Sequence, residues 1–144
     1  MTDDKETGWT KIQIRQPDDE VIKYGPSIEV TVAALEGPAI AALAQIDTGA
    51  QGTGISPRLA KKLGLKSVAS GIAHQAGYPS VRVPYFKVRL SLPSIDLEME
   101  VVGLATLERP HDVLLGRDIL SKCRLTVDFM EGVTSLHIKH SSGD

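Results

Sequence analysis

Two runs of alternating apolar and polar residues, joined by a short turn, restrict the possible folds of this chain more than any other feature. Residues 88–92 and 95–101 alternate with a period of two, which places the apolar side chains of a β-strand on one face. Pro93 and Ser94 between them are typical turn residues. The pattern therefore predicts a β-hairpin with one face buried in a core.

Further strand patterns occur along most of the chain, whereas helical patterns are brief. Strands are predicted at 9–15, 28–32, 39–46, 81–92, 95–101, 125–129 and 133–138, with turns at 17–20 and 24–27. Ser56 and Pro57 form a typical helix start and Gly64 a typical helix end, so a short helix is predicted there. A second is predicted at 118–122. The sequence thus predicts an all-β protein with a closed or sandwiched sheet.

Composition narrows the class of protein and its partners. The 144 residues suit one domain with a substantial core, and 42% hydrophobic with 24% charged residues is typical of soluble globular proteins. A net charge of -2 provides no basic surface for nucleic acid or for an anionic membrane. We therefore expect neither nucleic acid nor membrane as a partner.

The cysteine content and the N-terminal residues indicate a location. Cys123 is the single cysteine, so no intrachain disulfide can form and a reducing compartment is expected. The first residues are charged, and no apolar run approaches the roughly 20 residues that a membrane helix needs. The sequence therefore predicts a cytoplasmic protein.

The apolar run 39–46 ends in an acid, a hydroxyl and a glycine, and this stretch is the strongest candidate for a functional site. Asp47 would stand at the tip of a strand, where a carboxylate needs hydrogen bonds or a chemical role. Three glycines within 49–54 allow a sharp turn that projects the carboxylate into a groove. An alternative stays open, because Asp47 and Thr48 could form a simple turn with the carboxylate accepting backbone N–H bonds.

Other chemistries receive less support from the sequence. Residues 49–54 precede a capped helix and could hold a phosphate, yet they match neither G-x-G-x-x-G nor the P-loop. A phosphoryl-accepting role for Asp47 has equally little support. Lone Cys123 beside Arg124 is more typical of a partly buried structural thiol than of a nucleophile. No metal-ligand spacing is present among the four histidines, which are His74, His111, His137 and His140.

The chain resembles the retropepsin family of aspartic proteases, which includes retroviral proteases and their cellular single-domain relatives. The shared motifs are I-D-T-G-A at 46–50 and L-L-G-R-D-I-L at 114–120, with a small-residue hairpin between Gly71 and Gly77. The resemblance implies a closed, homodimeric β-barrel with one or two short helices and a flap hairpin. It places the protease domain at 27–139, after an N-terminal extension, partly disordered or a short strand, at 1–26 and before a polar tail at 140–144.

The resemblance implies a role for each matched residue. Asp47 would be the catalytic carboxylate, and Thr48 and Gly49 would support the catalytic loop. The implied substrate-binding residues are Ala50, Gln51, Gly71, Ile72, Ala73, His74 and Leu114, and the implied structural residues are Leu115, Gly116, Arg117 and Asp118. Many retroviral enzymes carry an acid where this chain has Gln51, so the partner of Arg117 stays open, with Asp118 as a candidate.

The chemistry of this family sets the number of chains that an active site requires. Peptide hydrolysis of this type needs two carboxylates that share a proton, one neutral and one charged. The sequence contains one D-T-G and no D-S-G. The second carboxylate would therefore come from Asp47 of another copy, in a two-fold homodimer that activates water without metal or cofactor. The expected substrate is an extended, largely apolar peptide segment.

Two non-enzymatic alternatives remain at the level of sequence. The same groove could hold an extended peptide by strand addition without cutting it, or the chain could be a structural dimerisation domain. Asp47, Thr48 and Gly49 are all intact, which favours hydrolysis. The segment 67–84 is poor in large apolar residues and is predicted to be a hairpin with little buried area, either a lid or a plain surface hairpin.

Overall fold

Eleven strands and three short helices make up the fold of this computed structural model, which describes residues 2–4, 8–17, 19–74 and 76–139. The strands are β1 (Thr2–Asp4), β2 (Trp9–Arg15), β3 (Ser27–Ala33), β4 (Ile40–Ile46), β5 (Gly54–Ile55), β6 (Ala69–Ala73), β7 (Val81–Leu92), β8 (Ile95–Gly103), β9 (Val113–Leu115), β10 (Cys123–Asp128) and β11 (Val133–Lys139). The helices are α1 (Glu20–Tyr24), α2 (Pro57–Lys62) and α3 (Arg117–Leu120).

The larger of the two sheets closes into a barrel. Its strand order is β3-β4-β9-β5-β8-β7-β6, and β3 also pairs with β7, so six strands form a closed ring while β6 extends from β7. Most pairs are antiparallel, but β4 runs parallel to β9 and β5 parallel to β8. The predicted all-β class with a closed barrel is confirmed.

Alternation along the strands fills the barrel with apolar side chains. In β7, Val88 and Leu90 are fully buried while Arg89 between them reaches solvent. β8 pairs with β7 from Ile95 to Val102 around the turn at 93–94, as the sequence pattern predicted. The largest fully buried side chains of the core are Ile55, Leu90, Leu115, Ile119, Leu136 and Ile138. Removing these surfaces from water is the main favourable contribution to folding.

A second sheet of four strands joins the two ends of the described chain. Its order is β1-β2-β11-β10, and Ile12 of β2 lies opposite Leu136 of β11. Both side chains are buried in the same core as the barrel. The strand predicted at 9–15 therefore packs on β11, whereas the division of the chain at residue 27 stays a prediction. The predictions for residues 1 and 5–7 and for the tail at 140–144 concern positions outside the described residues.

The helices differ in part from the sequence prediction. α2 begins as predicted, because the Ser56 hydroxyl accepts a hydrogen bond from the Leu59 N–H at 3.1 Å. α1 was not predicted and lies between the predicted turns at 17–20 and 24–27, where burial of Val21 holds a helix too short to show a periodic pattern. The Glu20 N–H donates to the Pro17 carbonyl at 3.1 Å, as expected for the first of these turns. α3 begins at Arg117, one residue earlier than predicted. Within the described residues, no helix has the length and apolar character needed to cross a bilayer.

A buried histidine lies in the segment that leads into β9 and packs against α1. His111 is 4% exposed, and its Nε2 is 2.7 Å from the hydroxyl oxygen of Ser27. Its ring also meets the ring of Tyr24 edge to face, with 5.8 Å between the centroids. Burial lowers the pKa of His111 below its ordinary value of 6.5, and the nearby carboxylates of Asp112 and Glu20 oppose this only in part. Folding therefore favours the neutral imidazole.

This lowered pKa predicts that acid weakens the fold. The unfolded chain takes up a proton at this histidine below about pH 6.5 while the folded chain resists it, so stability is complete above that pH and falls below it. We expect His111→Gln to flatten the loss of unfolding free energy between about pH 7.5 and 5.5, measured by urea denaturation. The control His74→Gln, at an exposed position, should keep the wild-type slope. An unchanged slope in His111→Gln would contradict the assignment.

Candidate active site

Asp47 stands where β4 leaves the barrel. The backbone N–H of Asp47 donates to the Leu115 carbonyl at 3.0 Å, which continues the parallel pairing of β4 with β9 by one residue. Ile46 before it is 6% exposed, whereas the Asp47 side chain is only half-buried. The pairing therefore fixes the backbone of the acid while its carboxylate leaves the core.

The loop after Asp47 holds the carboxylate by a local turn. One carboxylate oxygen, Oδ1, accepts the Gly49 N–H at 2.8 Å, and the Asp47 carbonyl accepts the Ala50 N–H at 3.3 Å. A Cβ at Gly49 would lie 3.1 Å from Oδ1, so the absence of a side chain permits this approach. The turn that the sequence offered as an alternative is thus present, and it orients the acid.

Gly116 lies directly beneath this loop. A Cβ at this position would be 2.5 Å from the Gly52 carbonyl oxygen and 3.0 Å from the Ala50 carbonyl oxygen, so no side chain fits. The next two residues are bonded to the loop as well, because the Arg117 N–H donates to the Ala50 carbonyl at 2.8 Å and the Asp118 N–H to the Gln51 carbonyl at 3.2 Å. The 116–118 segment and the acid's loop therefore form one backbone-bonded unit.

Thr53 connects the same two segments through its side chain. Its hydroxyl donates to Asp118 Oδ1 at 2.6 Å, and its backbone N–H donates to Asp118 Oδ2 at 3.0 Å. The hydroxyl oxygen also accepts the Gly116 N–H at 3.2 Å. Thr53 is 1% exposed and its bond from the Gly116 N–H is buried, whereas Asp118 is exposed and its two bonds with Thr53 are partly buried. Sequence reasoning missed this residue, although a small polar residue between two glycines was an available signal.

Arg117 contacts the acid's loop with its side chain. Its guanidinium Nη1 donates to the Thr48 carbonyl oxygen at 2.9 Å. Across residues 8–17, 19–74 and 76–139, no carboxylate lies within ion-pair distance of Arg117, and Asp118 is occupied by Thr53. The structure thus gives Arg117 a backbone carbonyl as partner in place of Asp118, the candidate from the sequence. Thr48 itself is exposed.

A groove of about 990 Å³ opens in front of the acid. Its described lining consists of Asp47, Gly49, Ala50, Gln51, Gly52, Thr53, Ala73, His74, Ala76, Tyr78, Tyr85, Glu100, Val102, Leu104, Leu114, Arg117 and Asp118. The structure therefore brings five of the seven predicted substrate-binding residues to the groove. The other two, Gly71 and Ile72, lie in β6 outside this lining.

The hairpin of β6 and β7 forms one wall of the groove. Alternation along β6 places Ala73 on the groove side and Ile72, which is 50% exposed, on the opposite side. Gly71 instead packs on Tyr85, whose ring would be 2.7 Å from a Cβ at that position. At the tip, His74 Nδ1 is 2.6 Å from the Ser80 hydroxyl oxygen. The hairpin thus has a defined tip and a groove-facing surface.

Several groove residues were not predicted from the sequence, namely Tyr78, Tyr85, Glu100, Val102 and Leu104. Leu104 packs with Leu107 and Leu114 in a small apolar cluster beneath the groove. The strand pattern placed these residues in or beside strands, but it did not indicate which face of the hairpin meets Asp47.

The other described histidines, His111 and His137, and the cysteine do not line the groove. The Cys123 thiol is half-buried and donates to the Ile119 carbonyl at 3.7 Å, and burial raises the pKa of this thiol. His137 lies in β11 and His111 is buried near α1, while His140 falls outside the described residues. In the described part of the chain, no three His, Cys, Asp or Glu side chains form a group able to hold a metal ion.

Comparisons with known proteins agree with this geometry. A family model described as aspartyl protease matches residues 29–119. A retropepsin-like aspartic protease from Rickettsia conorii has a similar structure, with a TM-score of 0.59 and 18% identity over 90% of this chain and 92% of that chain. The EIAV protease complexed with the inhibitor HBY-793 aligns with a TM-score of 0.47 and 16% identity over 67% and 85% of the two chains. No curated protein matches the chain significantly.

The match of the family model extends over more than half of the chain and contains both the loop of Asp47 and the segment beneath it. The fold agrees with that of a retropepsin-like protease along most of the described chain. The chain therefore belongs to the aspartyl protease family, as a retropepsin-like, aspartic-type endopeptidase.

Proposed function

We propose that the chain acts as a homodimer in which Asp47 of each subunit supplies half of the catalytic dyad. The observation that supports this most directly is the single carboxylate presented by the D-T-G loop at the wall of the groove. The sequence has no second motif of this kind. Because hydrolysis requires a neutral and a charged acid together, a two-fold axis beside Asp47 would complete the site.

In the proposed reaction, the two carboxylates share one proton. The charged acid takes a proton from a water molecule as that water attacks the peptide carbonyl carbon, and the neutral acid donates its proton to the carbonyl oxygen. Collapse of the tetrahedral intermediate then breaks the C–N bond. The nitrogen leaves with a proton from one acid, and the other acid takes a proton from a hydroxyl of the intermediate, so the dyad again holds one shared proton. The Gly49 N–H bond to Oδ1 would hold each carboxylate in position for these transfers.

Thr48 and Arg117 would hold the two loops in register. Thr48 is exposed beside Asp47, so its side chain is available for hydrogen bonds to the other subunit's loop. Its carbonyl is already held by Arg117 at 2.9 Å from within the same chain. A fixed loop geometry reduces the orientational freedom that must be lost to align the two acids at the axis.

The proposed substrate is an extended peptide with largely apolar side chains. Ala50, Leu104 and Leu114 provide apolar surface in the groove, and the hairpin of β6 and β7 would act as a flap over the bound segment. Strand-like pairing with the hairpin would bind the backbone of the peptide while the groove accepts its side chains. The cytoplasmic location and the action without metal or cofactor stay predictions from the sequence.

Replacement of Asp47 tests the catalytic assignment. We expect Asp47→Asn to lower cleavage of a peptide library by at least about 10³-fold at acidic and neutral pH, because the amide cannot activate water. The variant should still bind peptide, since the groove is unchanged. Glu98→Gln, an exposed carboxylate outside the groove, is the matched control and should retain activity. Cleavage that survives in Asp47→Asn would remove this residue from the mechanism. Peptide binding without cleavage by both wild type and Asp47→Asn would favour a non-catalytic peptide-binding module.

A mixing experiment tests the shared dyad. If each active site needs one Asp47 from each subunit, an equal amount of Asp47→Asn chain should reduce the activity of the wild-type subunits to about half, because mixed dimers are inactive. The activity is measured after the subunits have exchanged at low concentration. Addition of the Glu98→Gln chain should cause no such loss. Activity that is insensitive to the inactive chain would show that one subunit suffices.

Replacement of Arg117 tests its contact with the loop. We expect Arg117→Met to lower kcat roughly tenfold with a smaller change in KM, because the Thr48 carbonyl loses its donor and the acid is held less firmly. Arg15 provides a matched control, since its guanidinium also donates to a backbone carbonyl, that of Glu131 at 2.7 Å, far from the groove. Arg15→Met should leave kcat unchanged. An equal effect of the two variants would mean that the Arg117 contact has no special role.

A further inference from the structure

The charged side chains of the groove differ in whether they form hydrogen bonds or ion pairs within the protein. Asp47 accepts the Gly49 N–H, Arg117 donates to the Thr48 carbonyl, and Asp118 accepts two bonds from Thr53. His74 at the hairpin tip is bonded to Ser80. The exception in the described lining is Glu100, whose side-chain carboxylate has no hydrogen bond or ion pair with any described residue. A free carboxylate in a binding groove can take a partner from a ligand.

The position of Glu100 in β8 places it beside an apolar strip. Val102 lies two residues further along the same face, and Tyr85 of β7 is opposite Val102 in the register. Both side chains line the groove together with Glu100. The Tyr85 ring is held by its contact with Gly71 of β6. This wall of the groove therefore carries the aromatic ring of Tyr85 and the aliphatic side chain of Val102 beside the negative charge of Glu100.

The two cationic side chains of β7 that lie on the same face as Glu100, those of Lys87 and Arg89, form no ion pair with it. Lys87 is opposite Glu100 in the register, but its ammonium lies beyond ion-pair distance and it does not line the groove. Arg89 is occupied by Asp96 at 3.2 Å and by Glu98 at 2.9 Å. The carboxylate of Glu98 is therefore neutralised within the protein, whereas that of Glu100 faces the groove without a counter-ion in the described chain.

We propose that Glu100 is a specificity residue that selects a lysine or arginine side chain in the peptide substrate, an inference that rests on the function proposed above. The aliphatic stem of such a side chain would pack along Tyr85 and Val102, and its cationic end would meet the carboxylate. A homodimer carries two copies of Glu100, related by the two-fold axis. The preference therefore falls at a pair of substrate positions, one on each side of the bond that is cut.

Matched peptides that carry lysine or norleucine at one position test this inference, because norleucine keeps the stem and removes the charge. We expect wild type to show a kcat/KM ratio of lysine to norleucine of roughly five at one such pair of positions, decreasing with added salt. Glu100→Gln should bring this ratio to about one, and Glu100→Lys should favour a glutamate peptide instead. Glu98→Gln removes a carboxylate from the same face of β8 outside the groove, so it should keep the wild-type ratio.

A binding measurement separates this inference from the proposed catalytic function. The same peptides are titrated into Asp47→Asn and into the double variant Asp47→Asn with Glu100→Gln, and the ratio of Kd values is compared. A lysine preference that Glu100→Gln abolishes supports the role of Glu100 even if no peptide is cut, in which case only the catalytic proposal fails. Cleavage or binding with the same lysine to norleucine ratio in wild type and Glu100→Gln would overturn the role of Glu100 and leave the protease intact.

Discussion

The backbone contact between Gly116 and the loop after Asp47 determines the geometry of the whole site. No side chain fits at residue 116, because the carbonyls of the loop occupy that space. The Thr53 hydroxyl fixes the contact from the side by accepting from Gly116 and donating to Asp118. A buried polar group without a partner costs about 1–3 kcal/mol, so loss of the Thr53 hydroxyl would leave the buried Gly116 N–H unpaired at about that cost. The acid is thereby held at the end of β4 by contacts between the 116–118 segment and the loop that follows Asp47.

The barrel topology explains how residues distant in the sequence reach this contact. β9 lies between β4 and β5 and pairs with both, so the segment that follows β9 passes under the loop that joins β4 to β5. The hairpin of β6 and β7 then extends beyond the closed ring and forms one wall of the groove. Rigid support for the acid and an extended wall for a ligand therefore come from the same sheet.

The sequence predicted the longer strands of this fold more completely than it predicted the residues that line the groove. Alternation identified β7 and β8 because each has one buried face, and the D-T-G motif located Asp47. α1 was not predicted, because a five-residue helix shows no periodicity. The short strands β5 and β9 were not predicted either, because they depend on pairings between residues distant in the sequence. The orientation of Ile72 and the contribution of Glu100 to the groove depend on which face of the hairpin meets the acid, a property of tertiary structure. The partner of Arg117 was open for the same reason.

The pairing of β2 with β11 has a consequence for the size of the cooperative unit. The family model ends at residue 119 and begins at residue 29, so it excludes both of these strands. Yet Ile12 and Leu136 belong to the same continuous core as the barrel. A fragment limited to residues 29–119 would lack β2 and β11. It would therefore expose to water the part of the core that these strands cover. The shortest chain that folds by itself is accordingly longer than the segment 29–119 that the family model matches.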